Sequence, residues 1–191
     1  TGSPTARCLS FVTPDGDRTM NTFLGACAEL GPEDIDEDLI KSAKLTYMEG
    51  YLWDRPEAKD AFIKAAKVAH EAGRQVSISL SDSFCVDRHR ESFRDLVHNH
   101  IDVLFANEDE IKSLYEVETF EEALAEVRKH CKVAALTRSE KGAVIVSDNE
   151  LYEISAEPVA RVLDTTGAGD LFASGFLYGY TKGHDLINKA I

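Results

Sequence analysis

Long apolar runs are absent from this 191-residue sequence. A membrane-spanning helix needs roughly 20 consecutive apolar residues, and no segment approaches that length. Hydrophobic residues nevertheless make up 43% of the chain and charged residues 29%, a balance typical of a globular protein with a substantial core. The sequence therefore predicts a soluble protein that has no membrane partner.

Basic residues are also scarce, because 21 Lys and Arg stand against 34 Asp and Glu, for a formal charge of −13. Such a chain repels polyanions and has no basic stripe that could displace the counterions of nucleic acid. We therefore expect no nucleic acid partner. A phosphate site in this protein would have to rely on backbone amides, helix N-termini and a metal ion.

Paired cysteines are the third absence. The four cysteines are scattered, with no C-x-x-C pair and no histidine at zinc-finger spacing, so neither a metal knuckle nor a disulfide framework is indicated. Free thiols fit a reducing compartment, and we expect a cytoplasmic protein. The chain starts without Met and shows no signal peptide, so we expect a piece of a longer protein.

The first 30 residues predict a β-hairpin. Two extended runs, at residues 7–13 and 18–24, flank the turn sequence P-D-G-D.

The rest of the chain alternates strands and helices. Apolar runs predict strands at 43–48, 75–80, 101–106 and 132–137, and a second hairpin at 143–147 and 151–154. Helical spacing and capping residues predict helices at 56–72, 87–98, 108–115, 119–130 and 167–182. This alternation predicts an α/β fold with a doubly wound, mostly parallel sheet, in which ligands bind beyond the carboxyl ends of the strands.

The strongest chemical signal is the segment D-T-T-G-A-G-D at residues 164–170, which opens an apolar helix. Gly167 and Gly169 allow close approach of a ligand to the backbone, and the free amides of a first helical turn can bind developing phosphoryl charge. Asp170 can accept a proton from an attacking hydroxyl beside that anion hole. The alternative is that Asp170 only complements the helix dipole and the glycines only permit a tight turn.

The longer segment D-T-T-G-A-G-D-L-F-A-S-G-F resembles the C-terminal signature of the PfkB or ribokinase-like family of carbohydrate and nucleoside kinases. The resemblance implies that Asp170 is the catalytic base and that ATP is the phosphoryl donor. It also implies an anion hole formed by Gly167, Ala168 and Gly169, and a monovalent cation, K⁺ in many members, near Asp164 and Thr166.

Two further segments, each directly after a predicted strand, resemble family motifs. Asn107 and Glu110, in N-E-D-E, resemble the N-x-x-E element that organises Mg²⁺, water and phosphate, although the same residues form a capping box. We expect them to serve both roles.

The third junction, L-T-R-S-E-K-G, resembles the ATP-binding L-T-x-G-x-x-G loop, with Ser139 in place of the first glycine. It implies nucleotide contacts from Thr137, Arg138 and Gly142. Arg138 could reach the nucleotide phosphates, and the alternative is a solvated basic turn.

The resemblance covers almost the whole chain and implies a ribokinase-like fold with a small β-lid hairpin. We expect residues 1–30 to return from the lid into the main sheet and residues 31–191 to form the kinase core. Family members are longer, with an N-terminal acceptor-binding segment and a C-terminal segment that we expect this chain to lack. Glu49, at the end of a strand, resembles an acid near the magnesium site, but a surface carboxylate is the alternative.

Two further segments resemble bacterial adenosine or sugar kinases: T-P-D-G-D-R-T-M-N-T-F-L-G-A-C and L-S-D-S-F-C-V-D-R-H-R. Adenosine is the first choice of acceptor. A sugar such as ribose, fructose or 2-keto-3-deoxygluconate is the second. A non-catalytic nucleotide-binding relative is the third reading, and a homodimer through the lid is a possible partner arrangement.

Overall fold

The computed structural model of this chain describes residues 2–14, 18–148, 150–159, 162 and 164–183. Its first element is a two-stranded antiparallel sheet of β1 (Arg7–Val12) and β2 (Arg18–Phe23). The pairing runs from Arg7 opposite Phe23 to Val12 opposite Arg18. This confirms the predicted hairpin.

A six-stranded sheet forms the centre of the fold, with its strands in sequence order. The first four strands are parallel and the last two are each antiparallel to the strand before. Their bounds are β3 (Leu45–Glu49), β4 (Gln75–Ser79), β5 (Val103–Asn107), β6 (Val133–Thr137), β7 (Ala143–Ser147) and β8 (Glu150–Ile154).

Helices connect and flank these strands, as the alternation predicts. They are α1 (Glu37–Ser42), α2 (Pro56–Glu71), α3 (Ser83–His100), α4 (Glu108–Tyr115), α5 (Phe120–His130) and α6 (Ala168–Lys182). Helix α3 begins earlier than the predicted residue 87, because the Asp82 side chain accepts a hydrogen bond from Phe84 N and caps the helix there. His89 interrupts its helical geometry, with φ −133° and ψ 26°.

Two apolar cores lie on opposite faces of the sheet. Alternate residues of a strand point to opposite faces, so Leu104 packs in the larger core with helices α2 to α5, whereas Phe105 packs in the smaller one. Ala173 and Phe176 of α6 cover the smaller core. The doubly wound arrangement follows from this division and confirms the predicted fold class.

No helix among the described residues is both long and apolar enough to cross a membrane.

Candidate active site

The chemically interesting residues lie at one edge of the central sheet. Parallel strands β3 to β6 all end there, with Glu49 paired to Ser79 and Asn107 paired to Thr137 in the sheet register. The junctions that follow these strands are therefore neighbours in space although they are far apart in sequence. This edge is where open α/β sheets bind ligands.

The start of α6 has the geometry that the glycine-rich segment predicts. Gly167 has φ 74° and precedes the first helical residue, a left-handed conformation that favours glycine. A Cβ atom at Gly169 would meet no atom within 4 Å, so the backbone is open on that side. Asp170 lies in the first turn and is exposed. A small anion can therefore approach the first-turn amides beside a carboxylate.

Asp164 and Thr166 bond to each other just before this turn. Asp164 Oδ1 accepts hydrogen bonds from the backbone N of Thr166 at 2.8 Å and from its Oγ1 at 2.6 Å. Both residues are exposed. Their role at a monovalent cation remains a prediction.

Asn107 and Glu110 form the capping box that the sequence predicts. Asn107 Oδ1 accepts from Glu110 N at 2.8 Å, while Asn107 N and Nδ2 donate to the two Glu110 carboxylate oxygens at 2.9 and 2.8 Å. Glu110 is one of two buried polar residues among those described, at 5% exposure. Burial raises the pKa of its carboxyl to about 7, and the negative charges of Asp82, Asp109 and Glu49 add to that rise.

Glu49, the last residue of β3, is hydrogen-bonded to the segment that follows β4. Ser81 Oγ donates to Glu49 Oε2 at 3.0 Å, and Ser81 itself has φ 69°, an uncommon conformation for a residue with a side chain. Burial raises the pKa of Tyr47, and the charges of Glu49 and Asp170 raise it further. The last turn of α6 lies beside Lys44 and Gln75, at the starts of β3 and β4, so its first turn, which contains Asp170, lies toward the carboxyl ends of these strands.

The loop between β6 and β7 contains Thr137, Arg138, Ser139 and Gly142. Arg138 N donates to the carbonyl oxygen of Gly142 at 2.8 Å, and Gly142 N donates to Ser139 O at 3.0 Å. Gly142 has φ 90°, and a Cβ atom there would lie 1.9 Å from Ile154 O. Glycine is therefore required at Gly142 by both backbone conformation and space.

The Arg138 side chain is mostly shielded from solvent, with 21% of it exposed. Its Nε donates to Glu108 Oε2 at 2.9 Å, and its guanidinium lies 3.9 Å from the centre of the Phe120 ring. The motif-based prediction missed Glu108 and Phe120. Glu108 could have been found from the sequence, because it and Arg138 carry opposite charges at the carboxyl ends of neighbouring strands.

The predicted residues thus fall into three neighbouring groups at one sheet edge: the α6 entrance, the Asn107–Glu110 cap and the β6–β7 loop. In the part of the chain that the structure describes, no three His, Cys, Asp or Glu side chains lie close enough to form a metal site. The buried Glu110 carboxylate near other carboxylates still suits a cation that keeps several of its water ligands, as Mg²⁺ does.

The chain is similar in sequence and fold to several known proteins. The sequence profile of the pfkB family carbohydrate kinases matches residues 1–189. The structure of the probable sugar kinase of Rhizobium etli CFN 42 is 56% identical, with a TM-score of 0.94, and the match covers 98% of this chain and 57% of that one. Adenosine kinase from Sinorhizobium meliloti is 51% identical, with a TM-score of 0.95, over 100% of this chain and 58% of that one.

A third structure, of an Escherichia coli protein classed as a ribokinase II, was solved in complex with ATP and Mg²⁺. It is 25% identical, with a TM-score of 0.84, and the match covers 96% of this chain and 60% of that one. The chain spans between 56% and 60% of the length of the first three curated relatives that it matches.

Proposed function

The chain belongs to the pfkB family of carbohydrate kinases, and from this premise we propose that its protein transfers the γ-phosphoryl group of ATP to a hydroxyl of adenosine. The observation that carries the proposal is the α6 entrance, where an exposed aspartate sits in the first turn beside an open backbone. The 51% identity to an adenosine kinase supports adenosine as the acceptor. The 56% identity to a probable sugar kinase keeps a sugar as the second candidate.

In the proposed reaction the acceptor oxygen forms a bond to the γ-phosphorus while the bond from that phosphorus to the β,γ-bridging oxygen breaks, leaving ADP. Asp170 takes the hydroxyl proton. The amides of Gly167, Ala168 and Gly169 bind the charge on the equatorial oxygens, as the N-terminus of a helix favours. Thr137, Arg138 and Gly142 belong to the loop that borders the nucleotide.

Magnesium would be held near Glu110, with Asn107 orienting its carboxylate, and when bound it neutralises charge on the nucleotide phosphates. A K⁺ ion near Asp164 and Thr166 is part of the same proposal.

At the level of the whole chain, we assign residues 1–30 to the return from a lid and residues 31–191 to the kinase core. The hairpin of β1 and β2 is the surface that we propose for a homodimer.

A cytoplasmic location fits the four unpaired cysteines. A non-catalytic nucleotide-binding relative is the competing reading, and it predicts ATP binding without turnover.

Asp170→Asn in the full-length protein tests the proposed chemistry. Loss of a general base should lower kcat by about 10²- to 10⁴-fold, with ATP affinity retained. The matched control is Asp38→Asn, which changes an exposed first-turn aspartate of α1 and should leave kcat unchanged. Near-normal turnover by Asp170→Asn would make this aspartate structural.

Wild-type assays against adenosine, ribose, fructose and 2-keto-3-deoxygluconate decide the acceptor.

A further inference from the structure

An ion pair joins the β6–β7 loop to helix α4. Arg138 Nε and Glu108 Oε2 are 2.9 Å apart, and only 21% and 25% of the two side chains is exposed. Lys141 approaches the same carboxylate at 3.7 Å from a more exposed position. The hydrogen bond to Arg138 is the main reason that the pKa of Glu108 is lowered. A partly shielded, hydrogen-bonded pair of this kind holds its geometry better than a fully exposed one.

The second attachment of Arg138 is an aromatic ring. Phe120, the first residue of α5, is 3% exposed, and the Arg138 guanidinium lies 3.9 Å from its ring centre. A planar guanidinium can stack on a ring and donate a directed hydrogen bond at the same time, which an ammonium cannot. Arg138 is therefore fixed to α4 and α5 together.

The residue that follows Arg138 needs such support. Ser139 has φ 52°, in the left-handed region that favours glycine. It stands where the family motif has glycine. The left-handed turn is closed by the hydrogen bonds from Arg138 N to Gly142 O and from Gly142 N to Ser139 O. Holding Arg138 in place therefore holds one end of a turn whose left-handed conformation is unfavourable for serine.

We propose that Glu108 is a positioning residue for nucleotide binding, which holds Arg138 on Phe120 and thereby keeps residues 139–142 in the shape that borders ATP. This inference rests on the proposed kinase function. Arg138 then acts through the loop and stays on Glu108 when the nucleotide binds. Glu108 and Arg138 work as one unit, so removing either should have the same effect as removing both.

The test is a double-mutant cycle in the full-length protein. Glu108→Gln and Arg138→Gln should each raise the Kd and the KM for ATP about three- to tenfold, as expected for one lost charge-assisted hydrogen bond at a partly exposed site. The double variant should show no further rise, and kcat at saturating ATP should not change. Arg138→Lys should weaken ATP binding less than Arg138→Gln does, because lysine keeps the positive charge but lacks the planar guanidinium group that stacks on the ring and donates to Glu108.

The matched control is Glu121→Gln. Glu121 is also acidic, its Oε1 lies 4.0 Å from Arg138 Nη2, and its side chain is 75% exposed. It should leave ATP affinity unchanged. A general effect of negative charge near the loop would instead weaken or strengthen binding in the control as well, and would overturn the inference.

The variant Ser139→Gly tests whether the ion pair acts through the conformation of this turn. Glycine adopts the left-handed conformation without strain, so the effect of Glu108→Gln on the Kd for ATP should fall by more than half in the Ser139→Gly background. An undiminished effect would show that the pair does not act through this turn.

Other outcomes also contradict the proposal in distinct ways. If Glu108→Gln lowers the Kd for ATP while Arg138→Gln raises it, Glu108 competes with the phosphates and Arg138 is a direct ligand. If neither variant changes ATP binding, the pair has no role in it. If the wild-type protein fails to bind ATP at all, the proposed function falls first and the inference falls with it.

Discussion

The Asn107 side chain makes two kinds of interaction at the candidate site. Its side chain caps α4, and it also donates to the buried Glu110 carboxylate. Thr119 and Glu122 form the same type of box at α5, on an exposed part of the surface. The chain thus contains one capping box at the candidate site and a similar one in a different setting.

We expect Asn107→Ala and Glu110→Gln to raise the magnesium concentration needed for half-maximal rate, because both would disturb the carboxylate proposed to order the metal's water. Thr119→Ala is the control. Each loss of a cap should cost about 1 kcal/mol of stability, but only the first two variants should change the magnesium titration. Equal magnesium curves for all three would leave Asn107 and Glu110 with the capping role alone.

Gly142 and Gly73 provide a comparison of strain with and without a clash. Both have positive φ, 90° and 67°, yet a Cβ atom meets Ile154 O at 1.9 Å at the first position and nothing within 4 Å at the second. Gly73→Ala should cost roughly 1 kcal/mol, from backbone conformation. Gly142→Ala should exceed about 3 kcal/mol, because the loop must move away from β8. Urea unfolding measures both, and similar losses would contradict this account.

At the scale of elements, three helices meet through a stack of rings at their C-terminal ends. The His98 ring of α3 lies 3.9 Å, centre to centre, from the His130 ring of α5, and His98 Nε2 lies 3.4 Å from the Tyr115 hydroxyl of α4. Burial lowers the pKa of His98. The charges of His130 and Arg94 lower it further, whereas those of Asp95 and Glu126 oppose the change.

The sign of the resulting pH dependence follows from these shifts. Since the pKa of His98 is lower in the folded state than its usual value near 6.5, the unfolded chain binds more protons below that pH, and stability is lost as pH falls. We expect His98→Gln to reduce the drop in Tm between pH 7 and pH 5, because the glutamine binds no proton in either state. Asn99→Ala serves as the control. An unchanged drop in His98→Gln would remove this histidine from the explanation.

Patterns within short segments predicted the order of the elements and the sheet edge that carries the candidate site. Helical spacing and capping residues located α4 and α5 because those signals are local. The predicted start of α3 at residue 87 was wrong, because the cap at Asp82 begins the helix at Ser83. The stack of His98 on His130 and the contact of Arg138 with the Phe120 ring could not be predicted, since they depend on which helix ends meet in space. The roles of Asp170, Asn107 and Glu110 stay predictions.

At the scale of the whole molecule, the hairpin of β1 and β2 exposes several large apolar side chains. Leu9 and Phe11 are 62% and 60% exposed. The register places Phe23 opposite Arg7, so these three apolar side chains share one face of the hairpin. A two-stranded hairpin alone is marginally stable in water. It gains stability when another surface covers that face, and the proposed homodimer supplies one.

The double variant Leu9→Ser, Phe11→Ser should weaken self-association of the protein at least tenfold, on the order expected for losing two large apolar contacts. Analytical ultracentrifugation measures the change. Leu39→Ser is the matched control, because Leu39 is a 66% exposed leucine on a different element. Identical sedimentation of the double variant and the wild type would show that this face does not carry the association.

The order of the central strands has a consequence for synthesis on the ribosome. Because each strand pairs with the one before it, the sheet can grow at one edge as the chain emerges, with each new strand meeting a finished neighbour. Among the described elements helix α6 is the last, and it reaches back across the sheet, where Lys44 Nζ donates to Thr181 O at 3.0 Å and Gln75 Nε2 donates to the Tyr180 hydroxyl at 2.8 Å. A nascent chain therefore forms its β6–β7 loop before Asp170 is made, and a form that stops before Asp170 cannot carry out the proposed transfer.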